Sequence, residues 1–145
     1  MIVGYCDASI DLPIVSVGYV LYRSRKGDQD FLTAGTRLLN ADQHDREIEW
    51  SIQRAEYYAA IIATRAALDY GSETFLLHMD CDDVVTDIRK DTWRNEAYFE
   101  HCFRSFVNRF DNWHITLIDR SNNDPAHEQA RVGLKVGRDL HQGTV

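Results

Sequence analysis

Three carboxylates in this chain stand inside sequence that otherwise reads as protein core. Asp7 follows the strand-like run Ile2-Val3-Gly4-Tyr5-Cys6, with Ala8-Ser9 behind it. The construction recurs as Phe75-Leu76-Leu77-His78-Met79-Asp80, and between the two lies a helical segment in which Glu56 sits among alanines and isoleucines. A charge at the end of a buried strand is costly unless a cation or a metal compensates it. If the two strands lie side by side, the carboxylates meet. Other chemistries have weaker footing. Cys6, His78, Cys81, His101 and Cys102 lack the paired spacing of a structural zinc site. Ser9 lies in no recognisable nucleophile elbow.

The elements that must position these groups follow from patterning. After the first strand, residues 14–22 are β-branched and aromatic, residues 24–28 form a polar turn, and residues 30–38 read as a third strand. Short joins between the three imply an antiparallel meander. Ser51 is placed to cap a helix running to about Tyr70 with Gly71 as its stop, its apolar positions Ala55, Tyr58, Ala59, Ile62 and Ala66 keeping a helical period. A fourth strand at 74–79 leads into a short helix through Arg89. The stripe Phe99, Cys102, Phe103, Phe106, Val107 and Phe110 predicts a packed helix, residues 113–118 a fifth strand, and Pro125 opens a last helix to about Leu140. A meander joined to crossover units predicts an α/β fold with a five-stranded mixed sheet, antiparallel meander plus parallel strands, flanked by helices.

Bulk properties narrow the field. The chain has 145 residues, 44% hydrophobic and 27% charged, which predicts one globular domain over 1–145. No run reaches the roughly 20 apolar residues of a membrane span, and the first residues do not read as a signal peptide. Three cysteines without CxxC spacing point to reduced thiols, hence a cytoplasmic location. The net charge of −7 argues against holding nucleic acid by bulk electrostatics, so such binding would be local or metal-mediated. Sixteen aspartates against three lysines fit either adaptation to a salty cytoplasm or compositional drift.

With these residues in order, the chain resembles the type 1 ribonuclease H catalytic domain, in the shorter branch related to reverse-transcriptase-like domains. The markers are Asp7-Ala8-Ser9, Ala55-Glu56, Asp80-Cys81, and Asn123-Asp124-Pro125-Ala126-His127 opening the final helix. The resemblance implies a metal-dependent endonuclease that hydrolyses the RNA strand of RNA–DNA hybrids to 5′-phosphate and 3′-hydroxyl ends. Two divalent cations about 4 Å apart would activate a water and stabilise the leaving oxygen, and hard cations prefer carboxylate oxygen. By resemblance Asp7 bridges the two ions, Glu56 and Asp80 hold the ion at the leaving group, and the fourth position serves the ion carrying the water. Mg²⁺ or Mn²⁺ is the implied cofactor, an RNA–DNA hybrid the implied partner, and a monomer is expected.

The chain also departs from that family. His127 stands where an aspartate is usual, a softer ligand that favours Mn²⁺ over Mg²⁺ more than a carboxylate does. Asp124, three residues earlier, is either a substitute ligand or a helix cap. Ser9, Ser51, Gln53 and Asn123 fall at positions the resemblance places on the substrate side. Residues 89–109 form a locally basic island, in which Arg89, Lys90, Trp93 and Arg94 are expected to meet the hybrid's DNA strand. A second function class stays open: a nucleic-acid-binding module on the same fold, with catalysis weakened at His127.

Overall fold

The computed structural model describes residues 1–42, 48–93 and 96–141. Five strands form one sheet: β1 (Ile2–Asp11), β2 (Ile14–Arg25), β3 (Asp28–Asn40), β4 (Thr74–Met79) and β5 (Asn112–Leu117). Four helices join them: α1 (Ile52–Ala67), α2 (Asp82–Lys90), α3 (Ala97–Val107) and α4 (Asp124–His141). The spatial order is β3-β2-β1-β4-β5, antiparallel across β1–β3 and parallel from β1 through β4 to β5. This is the mixed sheet the patterning predicts. The meander is longer than expected because the β2–β3 turn is confined to Lys26-Gly27, both at positive φ, so that pairing continues to Arg25 and Asp28.

The sheet carries helices on both faces. One face of β1 and β2, including Cys6, Val15, Val17 and Leu21, packs under α1 in a core with Tyr57, Phe75, Phe103 and Met79. Each such aliphatic or aromatic side chain contributes roughly 1.5–3 kcal/mol of burial. The helix behind that core is capped as read: Ser51 Oγ accepts from the Arg54 amide at 3.2 Å, and Gly71 at φ 141° ends the 3₁₀ turn Leu68–Tyr70. Within α1 the buried surface is broader than the predicted stripe, taking in Tyr57, Ile61 and Ala63, because α2 and α3 cover its other sides.

The opposite face receives α4, which rests on glycine. A Cβ at Gly18 would collide with the Ala130 amide nitrogen and the Ala126 carbonyl oxygen, so the helix backbone lies directly on β2. Gly18 is the register partner of Asp7. That close approach brings the first turn of α4 over the first catalytic candidate.

Asp7 is not the last residue of its strand. β1 runs four residues further, paired with β2, whereas the parallel pairing with β4 covers only Ile2–Tyr5 against Phe75–His78. Asp7 therefore marks the point where β4 has peeled away, which opens a side of β1 to the site.

Candidate metal centre

Asp7, Glu56 and Asp80 come together as predicted, each offering a carboxylate oxygen within 4.8 Å of the others. Asp7 and Asp80 follow the paired residues Tyr5 and His78 by two positions each, so strand alternation puts both on the α4 side. Glu56 reaches in from the first turns of α1, where its Oε1 accepts the Ala8 amide at 3.3 Å. Asp7 and Glu56 are 3% and 5% exposed, and Asp80 is half-buried.

This packing is electrostatically expensive. Burial, then the neighbouring Asp7 and Asp80 charges, push the Glu56 carboxyl well above the ordinary range. Burial and Asp7 also raise Asp80, against the opposing pull of Asn123, Arg120 and His127. Glu56 Oε2 is buried with no hydrogen-bond partner. Three clustered acids and an orphaned buried carboxylate oxygen are a donor set suited to a hard divalent cation, which would supply the missing positive charge. The residues present fit such an ion.

His127 stands beside this cluster rather than in it. Its Nδ1 lies 2.7 Å from Asp7 Oδ2, while among the described residues the three carboxylates alone form the ligand-competent group. With Asp7 ionised, Nδ1 is the donor, and in the neutral ring Nε2 then carries the lone pair. Asp124 is exposed and outside the cluster.

Of the substrate-side expectations, burial contradicts Trp93 and Asn123. Trp93 is 3% exposed and stacks on Tyr57 at 5.5 Å between centroids, so its ring belongs to the core and offers no face to a base or sugar. The aromatic periodicity of α3 and the polar residues around Trp93 hid that partner. Asn123 is fully buried, its Nδ2 donating to the Cys6 carbonyl at 2.9 Å and to Asp80 Oδ2 at 3.2 Å. It orients an acid, and its side chain is closed to solvent. The Ser51 hydroxyl is engaged in its helix cap. Gln53 is half-buried on the first turn of α1, and Ser9 lies two residues beyond Asp7 on the same side of β1.

Two arginines of the basic island are engaged with the protein. Arg104 pairs with Asp91 and with Glu100, and Arg89 Nε donates to the Ile115 carbonyl at 3.0 Å. Lys90 is exposed at the end of α2, and Arg94 lies outside the described residues. Sequence reasoning passed over two features. Arg120 lines a cleft with Asp80 and Asp82 and acts on the Asp80 charge. Asp87 is buried, accepting from the Tyr57 hydroxyl at 2.6 Å and from Thr92 at 3.2 Å, which ties the island's base to α1. An arginine in the loop before Asn123 was the available signal for the first. The second needed tertiary contact. Cys6 and Cys81 flank the site as free thiols, and burial pushes the Cys81 thiol up to about 11.

Comparison with known proteins agrees with this architecture. A family model described as reverse transcriptase-like matches residues 33–133, a span that includes Glu56, Asp80 and His127. The RNase H1 of the halophilic archaeon Halobacterium salinarum superposes with a TM-score of 0.76 at 24% identity, over 92% of this chain and 97% of that one. The N-terminal RNase H domain of a Mycobacterium tuberculosis protein, solved as a fusion with maltose-binding protein, gives 0.78 at 14% identity over 97% of each. LC11-RNase H1, solved in complex with an RNA/DNA hybrid, gives 0.70 at 18% identity over 94% and 99%. At these identities the likeness establishes the ribonuclease H-like fold. No curated protein matches the sequence.

Proposed function

The chain belongs to the reverse transcriptase-like family, and on that footing we propose that it is a metal-dependent endonuclease cutting the RNA strand of RNA–DNA hybrids to 5′-phosphate and 3′-hydroxyl ends. Residues 1–145 then act as a single catalytic domain. One observation carries the reading: Glu56 Oε2 is buried and unpartnered among three mutually close carboxylates. Such a cluster costs stability unless a cation occupies it.

Asp7, Glu56 and Asp80 are the residues that would hold Mg²⁺ or Mn²⁺. When bound, the divalent ions supply the activation of water and the stabilisation of the leaving 3′-oxygen. The chain's own groups do the positioning. Asn123 fixes the Asp80 carboxylate, the Ala8 amide fixes one Glu56 oxygen, and His127 orients Asp7 through Nδ1. His127 Nε2, on the far side of that ring, faces the role the family gives to a carboxylate. Arg120, beside Asp80, suits the charge of a scissile phosphate. The RNA/DNA hybrid in the complex of LC11-RNase H1 supports the choice of substrate.

A second reading draws on His127, hydrogen-bonded to Asp7 and outside the carboxylate group: a hybrid-binding module with little catalysis. One assay separates the two. A hybrid labelled on either strand is incubated with the protein in Mg²⁺ and in Mn²⁺. RNA-strand cleavage lost in Asp7→Asn supports the nuclease. Binding without cleavage in either metal supports the module.

A further inference from the structure

Away from the carboxylates, three arginines converge on the outer side of α1. Arg65 and Arg109 lie over the same Phe106 ring, their guanidinium carbons 6.0 and 5.6 Å from its centroid. Arg37, on β3, sits at the Tyr58 hydroxyl and lines a shallow cleft with Arg65, Tyr19 and Asp69. All three arginines are exposed. Among the described residues none of them makes a salt bridge, whereas Arg23, Arg54, Arg104, Arg131 and Arg138 all do. Asp69 is the single acid lining the cleft. In a chain of net charge −7, this is cationic surface left unspent.

The chemistry selects an anion with spaced charges. Guanidinium groups laid on aromatic faces are held flat, which lowers the entropy lost when they fork onto phosphate oxygens. The location selects its form. Arg65 follows Glu56 by nine residues, two and a half helical turns, so it lies about 14 Å further along α1 and on the opposite side of the helix. A duplex seated at Glu56 is too stiff to turn that corner, with a persistence length of about 150 base pairs. A single strand turns it freely. We propose that Arg37, Arg65 and Arg109 form a second nucleic-acid contact, which takes the phosphodiester backbone of a single-stranded extension leaving the hybrid. This rests on the hybrid-binding function proposed above.

The test compares blunt hybrids with hybrids carrying a single-stranded RNA or DNA extension long enough to cross α1. Binding is measured by fluorescence anisotropy in EDTA, so that cleavage does not intervene. Wild type is expected to bind the extended hybrid roughly tenfold more tightly than the blunt one. The triple variant Arg37→Gln/Arg65→Gln/Arg109→Gln is expected to lose that gain and to bind and cut blunt hybrid as before. Its salt dependence for the extended hybrid should be shallower by about 2, at ~0.7 per single-strand phosphate contact. Equal affinity of wild type for both hybrids, or a gain retained in the variant, overturns the proposal. So does displacement of the extension by polyglutamate as readily as by single-stranded nucleic acid, which would reassign the patch to an acidic protein. Failure of the proposed function is separate, since blunt hybrid would then be neither bound nor cut, while binding of the free single strand to the arginines remains measurable.

Discussion

The acid cluster and the basic island are joined by α1, yet they treat charge in opposite ways. Asp7, Glu56 and Asp80 are like charges crowded in a buried place, and the scaffold leaves a Glu56 oxygen unsatisfied. The base of the island spends its charge internally, Arg104 on Asp91 and Glu100 and Arg89 on a carbonyl, and Trp93 stacks on Tyr57, while Arg109 at its far end joins the arginine trio outside α1. Charge that the fold has not compensated points to a ligand. Charge that is merely abundant does not. The same criterion singles out Arg120 at the site and the arginine trio on the outer side of α1.

The largest expected effect sharpens the acid side of this contrast. Asp7→Asn should lower hybrid cleavage by about 10³-fold or more, the scale of losing a group that supports transition-state charge, while leaving hybrid affinity nearly unchanged. Gel quantitation of a strand-labelled hybrid, alongside anisotropy, reads both. The island makes the opposite prediction. Trp93→Ala should destabilise the fold by about 3–5 kcal/mol, the cost of emptying an aromatic site, seen in a denaturant melt. If its sole effect were weaker hybrid binding at unchanged stability, Trp93 would face substrate after all.

His127 lies between these extremes. His127→Ala should lower activity roughly 10–100-fold, the range for partners that orient a metal-binding group, and therefore less than Asp7→Asn. His127→Asp should raise activity in Mg²⁺ relative to Mn²⁺ by restoring a hard ligand. Metal-resolved rates for the three proteins test this, and superimposable profiles would remove His127 from the site. Arg120→Ala is smaller still: a hybrid affinity about tenfold weaker, near the ~1.5 kcal/mol of one charge-assisted contact.

Much of this was legible in the chain because the signals were local. Strand alternation, the Ser51 cap and the Gly71 stop fixed the elements, and carboxylates set in apolar runs marked the site. What stayed hidden depended on partners distant in sequence. Asn123 reads as a substrate-side polar residue until Cys6 and Asp80 are seen to take its amide. Trp93 reads as an exposed aromatic among charges until Tyr57 closes over it. Asp7 reads as a strand end, because the sequence does not record that β4 departs six residues before β2 releases β1. The longer meander came from turn chemistry at Lys26-Gly27 that allows pairing to run to the tip.

The pH dependence of stability follows from the raised Glu56 and Asp80 carboxyls. A carboxyl raised in the folded state contributes stability that is complete below its unfolded value, near ~4, and is lost as pH rises through the folded value. Through these two groups the metal-free protein is therefore expected to lose stability as pH rises above the ordinary carboxyl range, as followed by thermal unfolding in EDTA. Asp7→Asn should flatten that decline.

The central claim, that the buried acids are a cation site, is tested most directly by thermal unfolding at neutral pH as Mn²⁺ or Mg²⁺ is titrated in. Wild type should gain stability as the logarithm of free metal once the site fills, about 2.7 kcal/mol at a hundredfold excess over Kd, and Asp7→Asn should gain far less. A melting temperature that metal leaves unmoved, or that rises equally in both proteins, would contradict the account.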